Sequence, residues 1–167
     1  MVTEYSLADA LTREHHHIDA GIEEFSTGIQ QGKPLHTLIE PLREAMTALR
    51  RHIYIEEEFA FPPIKEGGLT MPIMVMEREH GVLWRQMDAL ETSLNAFTEA
   101  QRETLMGACQ NMLEVLESHN SKEEPIIYPH LDTQLTPEQS TQLRVLIESG
   151  TTPPGWVCAR ANEGMET

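Results

Sequence analysis

Two stretches of this chain repeat one arrangement of residues suited to metal chemistry. Residues 52–62 and 119–129 each read His, three residues, Glu, Glu, and then an aromatic residue and Pro at the same offset. On a helix, a His and a Glu four positions apart lie one turn apart on the same face. The pairs are His52 with Glu56 and His119 with Glu123. Because the shared tail makes chance less plausible, the repeat indicates one device used twice.

The elements that must position these pairs are long amphipathic helices. Apolar residues recur at alternating steps of three and four in four segments, which is helical periodicity. The predicted helices cover about residues 6–31, 34–59, 72–97 and 101–128, and proline or glycine stands between them. A capping box at Thr136 with Pro137 predicts a short fifth helix to about residue 148. We therefore expect an all-α, up-down-up-down four-helix bundle with a short additional C-terminal helix. The bundle domain would cover residues 1–150 and a C-terminal tail residues 151–167.

Polar residues interrupt the apolar faces of all four predicted helices. A buried carboxylate or imidazole without a partner is costly, so several in one core need a common explanation. Residues equidistant from a turn lie level in a helical hairpin, and this symmetry puts the polar positions in one layer. The six positions are His15, His52, Glu56, His80, His119 and Glu123.

A metal centre would satisfy this layer. Imidazole with carboxylate suits Fe, Mn or Zn, and the lack of thiolates argues against a structural zinc site. Four His and two Glu are too many for one tetrahedral ion. They suit two ions, each with two imidazoles and bridged by the two carboxylates, with coordination positions left open. The alternative is a polar core satisfied by hydrogen bonds alone.

The ordered pattern His, His-x-x-x-Glu, His, His-x-x-x-Glu resembles the hemerythrin-like, HHE cation-binding domains. The resemblance covers about residues 7–131 and includes Glu14-His15, the Glu that follows Glu56 and Glu123, and the two aromatic-Pro pairs. It implies a four-helix bundle that holds a non-haem di-iron centre. The six ligands would be those named above, with zinc or manganese as possible substitutes for iron.

The chain departs from the oxygen-carrying hemerythrins at two positions. Those proteins have a fifth His where this chain has Trp84, and they end in His-x-x-x-x-Asp where this chain has His119-x-x-x-Glu123. The chain thus looks more like the bacterial HHE proteins, which include iron–sulfur repair proteins and sensors of oxygen or nitric oxide. The N-terminal cysteine-bearing segment typical of the repair proteins is missing from this sequence.

The expected function is binding of a small diatomic ligand, oxygen or nitric oxide, at open positions of the metal pair. The alternatives are iron–sulfur cluster repair, detoxification of peroxide or nitric oxide, and metal storage. No general acid, nucleophile or loop for an organic cofactor is evident, so no catalytic residue is predicted. A ligand-binding role is favoured over conventional catalysis, and the question of an enzymatic activity stays open.

Composition narrows the set of partners. The net charge is −15, which disfavours nucleic acid and anionic membranes. Cys109 and Cys158 form neither a CxxC pair nor a disulfide framework. The first residues lack the pattern of a signal peptide, and no stretch is long enough to span a membrane. These features predict a cytoplasmic protein, and a monomer and a homodimer are equally compatible with them.

Several neighbours of the six positions have two possible roles. Glu57 and Glu124 are either acceptors that orient ligand imidazoles or ordinary acidic surface. Tyr128 could donate a hydrogen bond to a bound oxygen ligand, while Tyr54 is expected to pack between helices. His16 is expected to face solvent.

Overall fold

The structure is a computed structural model that describes residues 5–163. Its helices are α1 (Leu7–Gln30), α2 (Ile39–Ile55), α3 (Thr70–Asn95), α4 (Arg102–Ile126), α5 (Tyr128–Gln134) and α6 (Pro137–Ser149). Residues 5–163 contain no β-strand. The predicted all-α bundle with an added C-terminal helix is confirmed. Residues 1–4 and 164–167, the ends of the predicted domain and tail, lie outside the described residues. The prediction about a signal peptide falls partly on residues 1–4.

The four long helices form a closed ring of neighbours. Helix α1 packs against α2 and α4, and α3 packs against α4 and α2. Gly21 lets α1 and α2 approach closely, because a Cβ atom there would lie 2.9 Å from the Cβ of Ala45. Throughout the described chain, each helix is too short or too polar to serve as a membrane span.

A polar layer divides the apolar core into two clusters. One cluster, which includes Ile18, Leu83 and Leu116, fills the half of the bundle near the α1–α2 and α3–α4 connections. The other cluster includes Leu11 and Met76 and fills the opposite half. Along α1, α3 and α4 the predicted ligands fall where one cluster gives way to the other. The site is therefore held between two well-packed apolar blocks, which fix the helices that carry it.

Helix α2 ends differently from the sequence expectation. The periodicity predicts one helix over residues 34–59, but α2 covers Ile39–Ile55 and continues as a π-helical turn over Glu56–Ala60. In this turn the Phe61 amide donates to the Glu56 carbonyl at 2.8 Å, five residues back. Single π-helical turns are rare and recur at functional sites. This one lies at the first of the two carboxylates.

Helix α4 ends two residues earlier than expected, and a short helix follows it. Pro125 lies inside the last turn of α4, where it removes a backbone donor and crowds the preceding turn. The chain then turns at Ile127 and begins the unpredicted helix α5 at Tyr128. As a result, the Tyr128 side chain points back into the core and is fully buried.

The segment after α6 packs on the bundle. Trp156 contacts Trp84 and Tyr54 edge to face, and its indole donates to Glu58 at 3.0 Å. Cys158 is buried. The carbonyl of Arg160 lies so close to α3 that a Cβ at position 81 would approach it to 2.4 Å. The predicted tail is therefore irregular in backbone but forms a fixed cover over α2 and α3.

Candidate metal centre

The structure brings all six predicted ligands into one buried layer. Their side chains come from four helices and from the π-helical turn, which continues α2. Glu56, Glu123 and His80 are fully buried. His15, His52 and His119 are each 2% exposed. The level arrangement inferred from turn symmetry is thus observed.

The ligand atoms form two groups that share both carboxylates. One group is His15, His52, Glu56 and Glu123, and the other is His80, His119, Glu56 and Glu123. Within each group, one ligand atom per residue lies within 4.8 Å of every other. Two groups with two imidazoles each and a common carboxylate pair match the donor set that a two-metal centre requires.

Several of these buried atoms lack a hydrogen-bond partner. Oε1 of Glu56 lies 3.3 Å from Nε2 of His80, yet neither atom makes a hydrogen bond. Oε2 of Glu123 lies 3.3 Å from Nε2 of His119 and is also without a hydrogen bond. Orphaned buried polar atoms are rare and costly, and here they converge on one space. The residues present therefore fit a bound cation.

Tyr128 lies at the centre of the layer. Its hydroxyl oxygen is 3.0 Å from Glu56 and 2.9 Å from Glu123, and it can donate to either carboxylate. It also lies 2.9 Å from Nε2 of His15 and 3.1 Å from Nε2 of His52. Burial and the two carboxylates raise the pKa of Tyr128 well above its usual range, so the hydroxyl keeps its proton. Tyr54, by contrast, packs against Phe59 and Trp156, as expected.

Carboxylates outside the layer hold three of the four imidazoles. Nδ1 of His52 contacts Glu14 at 2.8 Å, and Nδ1 of His80 contacts Glu57 at 2.7 Å. Such contacts fix the ring orientation and leave Nε2 facing the centre, which is typical of metal-bound histidines.

Nδ1 of His119 contacts Glu79 at 3.2 Å, and Lys122 in turn pairs with Glu79. Glu14 is likewise paired with Arg51 at 2.9 Å, so two of the three outer carboxylates are anchored by a cation. His15 is the exception among the four imidazoles. Its Nδ1 lies 3.7 Å from Glu124 and makes no hydrogen bond.

The carboxylates shift the protonation of the metal-free centre. Burial would lower the pKa of His80, but the contacts with Glu56 and Glu57 outweigh burial and raise it to about 10. The pKa values of His52 and His119 are also raised against burial, chiefly by Glu56 and Glu123 respectively. Burial would raise the pKa of Glu123, but the charges and contacts of His119 and His15 together outweigh burial and lower this pKa well below its usual range. Without a metal, protons therefore balance the carboxylate charge.

A small cavity lies beside the four imidazoles, and it has no room for a water molecule. Its apolar wall is formed by Leu49, Ile53, Leu83 and Leu116, and Asn120 adds one polar side chain. Trp84 does not line this cavity but packs against Trp156, with Arg50 over its ring at 4.5 Å.

Sequence reasoning missed two of the outer carboxylates and the central position of the tyrosine. Glu14 and Glu79 each directly precede a predicted ligand, but each one contacts the imidazole of a different helix. Glu57 was one of the two acceptors considered, and it does contact an imidazole. An acidic residue next to a ligand position was the available signal. The identity of its partner depends on packing between helices.

The fold and the site together define a class of helical metal-binding proteins. Comparison with known proteins agrees: the family model of the hemerythrin HHE cation-binding domain matches residues 6–131. The chain belongs to this family.

Similar proteins occur in mycobacteria. Uncharacterized proteins of Mycobacterium bovis and Mycobacterium tuberculosis are 28% identical to this chain over 99 residues. The match covers 54% of this chain and only 39% of each relative's own length. No solved structure matches the chain significantly.

Proposed function

We propose that this protein holds a pair of iron ions and binds a small diatomic ligand, oxygen or nitric oxide, at the pair. Glu56 and Glu123 would bridge the two metals. His15 and His52 would serve one ion, and His80 and His119 the other. Zinc or manganese are possible substitutes at the same residues. When bound, the iron pair supplies open coordination positions and reversible redox chemistry for a small ligand.

The observation that carries this proposal is the pair of ligand groups with two shared carboxylates. A single tetrahedral ion would leave ligands of the other group unsatisfied in a dry core. The donor set of imidazoles and carboxylates without thiolate suits iron, manganese or zinc, and the resemblance to the hemerythrins, which hold a di-iron centre, favours iron.

The surroundings of the centre support binding of a ligand rather than turnover of a larger substrate. The cavity beside the imidazoles has an apolar wall and no room for a water molecule, so it excludes bulky molecules. Asn120 lines this cavity, and its Oδ1 atom has no hydrogen-bond partner. The side chain could contact a bound ligand through its amide group.

The test combines metal analysis with spectroscopy. Protein purified aerobically should contain about two irons per chain and show an oxo-bridge absorption band in the near ultraviolet. The reduced protein should then be titrated separately with oxygen and nitric oxide. A stable, reversible adduct supports the proposal. Binding of a single zinc without iron uptake would contradict the iron pair, and rapid oxidation with turnover would favour the detoxifying alternative.

A further inference from the structure

A second polar feature lies directly outside the metal centre, between α1 and α4. It is a surface cleft of about 510 Å³. Five carboxylates line it, and we refer to it as the acidic cleft: Asp19, Glu23, Glu114, Glu117 and Glu124. His16, which is exposed as expected, also lines the cleft.

Histidine is the only basic residue type that the described residues contribute to the acidic cleft. Neither Lys nor Arg is among the described residues that line it. Among the described residues, Glu124 forms an ion pair only with His15. The other four carboxylates form no ion pair with a described residue. Two of the three outer carboxylates of the metal centre, Glu14 and Glu79, are by contrast each paired with a cation. Clefts of one charge concentrate ions of the opposite charge.

The floor of the acidic cleft is also the wall of the inner cavity. His15 and Asn120 line both spaces, and both side chains are more than nine-tenths buried. Nδ1 of His15 and Oδ1 of Asn120 make no hydrogen bond. The other three imidazoles are held by carboxylates at 2.7 to 3.2 Å. His15 is therefore the one imidazole of the centre whose Nδ1 no carboxylate holds by a hydrogen bond, and it lies where the cleft meets the centre.

We propose that the acidic cleft is the uptake route for divalent cations, with His15 and Asn120 as the inner gate to the metal centre. This inference rests on the proposed metal function and adds the path by which Fe²⁺ reaches the site. Oxygen ligands suit a hydrated, hard divalent cation. The cleft carboxylates do not converge as the centre does, because the metal-capable groups of the described residues all lie in the centre. The cleft would thus guide a hydrated ion without storing it.

The test measures the rate of Fe²⁺ uptake by metal-free protein under anaerobic conditions. Samples are quenched with a chelator at intervals, and the protein-bound iron is counted. The double variant Glu23→Gln, Glu117→Gln removes two exposed charges from the cleft and touches no proposed ligand. The matched control is Glu44→Gln, Glu103→Gln, which removes two exposed charges elsewhere.

At low ionic strength, the cleft variant should load about 5- to 20-fold more slowly than wild type, because local attraction raises the encounter rate. Its final iron content should equal that of wild type, and the difference in rate should shrink as salt is added. The control should load at nearly the wild-type rate. Equal rates in both variants would overturn the uptake route while leaving the metal centre intact. Failure of the wild-type protein to take up iron would overturn both proposals.

Discussion

Three consecutive glutamates show how closely residue roles are divided in this protein. Glu56 is fully buried and belongs to both ligand groups. Glu57 contacts Nδ1 of His80 and accepts the backbone amide of Ala159 at 2.9 Å. Glu58 is exposed and accepts the Trp156 indole. The same residue type therefore serves as proposed ligand, as support for a ligand and as an anchor for the C-terminal segment.

The first prediction concerns the shared carboxylates. Replacing either Glu56 or Glu123 by Ala should reduce iron content from about two per chain to one or less, because each carboxylate belongs to both groups. Metal analysis of the purified variants measures this. Glu58→Ala is the control and should keep its iron. Full iron content in both ligand variants would show that other atoms bridge the metals.

The second prediction separates Glu57 from Glu58. Glu57→Ala leaves Nδ1 of His80 without its carboxylate and should lower metal affinity by about 10- to 100-fold. Glu58→Ala removes a surface contact to Trp156 and should change affinity by less than about 2-fold. Competition with a chelator of known affinity measures both variants. Equal affinities would mean that the contact between Glu57 and His80 has no influence on the metal.

The third prediction follows from protonation of the metal-free imidazoles. With the pKa of His80 raised to about 10 and that of His52 also raised, both rings carry protons at neutral pH. A metal ion binds the deprotonated ring, so binding must release protons and should tighten as pH rises from 6 to 8. Calorimetry in buffers with different ionisation enthalpies counts the released protons. Binding that is independent of pH would contradict this assignment of charge.

At the scale of the elements, two irregular backbone segments position residues around the ligands. Glu56 has the inward position that α2 gives it, and the π-helical turn that begins there leaves Glu57 beside His80. The break at Pro125 allows Tyr128 to turn back onto both carboxylates. A regular continuation of either helix would change the direction of the side chains that follow. These interruptions are thus part of the way in which the bundle assembles its polar centre.

The C-terminal segment also contacts the residues that support the centre. The Arg85 side chain donates to the Arg160 carbonyl at 2.9 Å, and the Ala159 amide donates to Glu57. The segment is thereby connected to His80 through one carboxylate. We infer that residues 151–163 support the centre as well as covering the bundle.

The fourth prediction tests this packing with two glycines. Gly81→Ala would push a Cβ to 2.4 Å from the Arg160 carbonyl, so the C-terminal segment must shift. We expect a loss of about 1–3 kcal/mol in the free energy of unfolding. Gly107→Ala lies in α4 with nothing within 4 Å, and it should gain about 0.4–1 kcal/mol. Urea unfolding measures both variants. Equal stability of the two would mean that the segment does not press on α3.

At the scale of the whole molecule, the core is built around charged groups that need a counterion. Apolar clusters on both sides keep water from the polar layer. The excess of acidic residues, which gives a net charge of −15, includes the carboxylates of the centre and of the acidic cleft. This excess of negative charge attracts cations, and the buried polar layer has the donor atoms to hold them.

The fifth prediction is that metal stabilises the fold. A ligand that binds only the native state adds about 2.7 kcal/mol when its concentration is 100 times the dissociation constant. For a chain of this size, this should raise Tm by about 5–10 °C. Thermal unfolding of the iron-loaded and chelator-treated protein measures the difference. The Glu56→Ala variant should show a smaller rise, and an equal rise would place the stabilising metal elsewhere.

The sequence alone determined the bundle and the six inward polar positions. Helical periodicity identifies residues that share a face, and turn symmetry identifies residues that lie level, so His15 and His80 could be found without a local motif. The helix that begins at Pro137, α6 in the structure, was also predictable from the sequence, because its capping box is a local signal.

Only the tertiary structure decided which groups meet. Glu14 serves the imidazole on α2, Tyr128 reaches four ligands at once, and Asn120 joins the acidic cleft to the inner cavity. These contacts depend on the rotation of each helix, on the π-helical turn and on the break at Pro125. Periodicity tells which face of a helix is buried, whereas packing between helices decides which atoms on that face come within bonding distance.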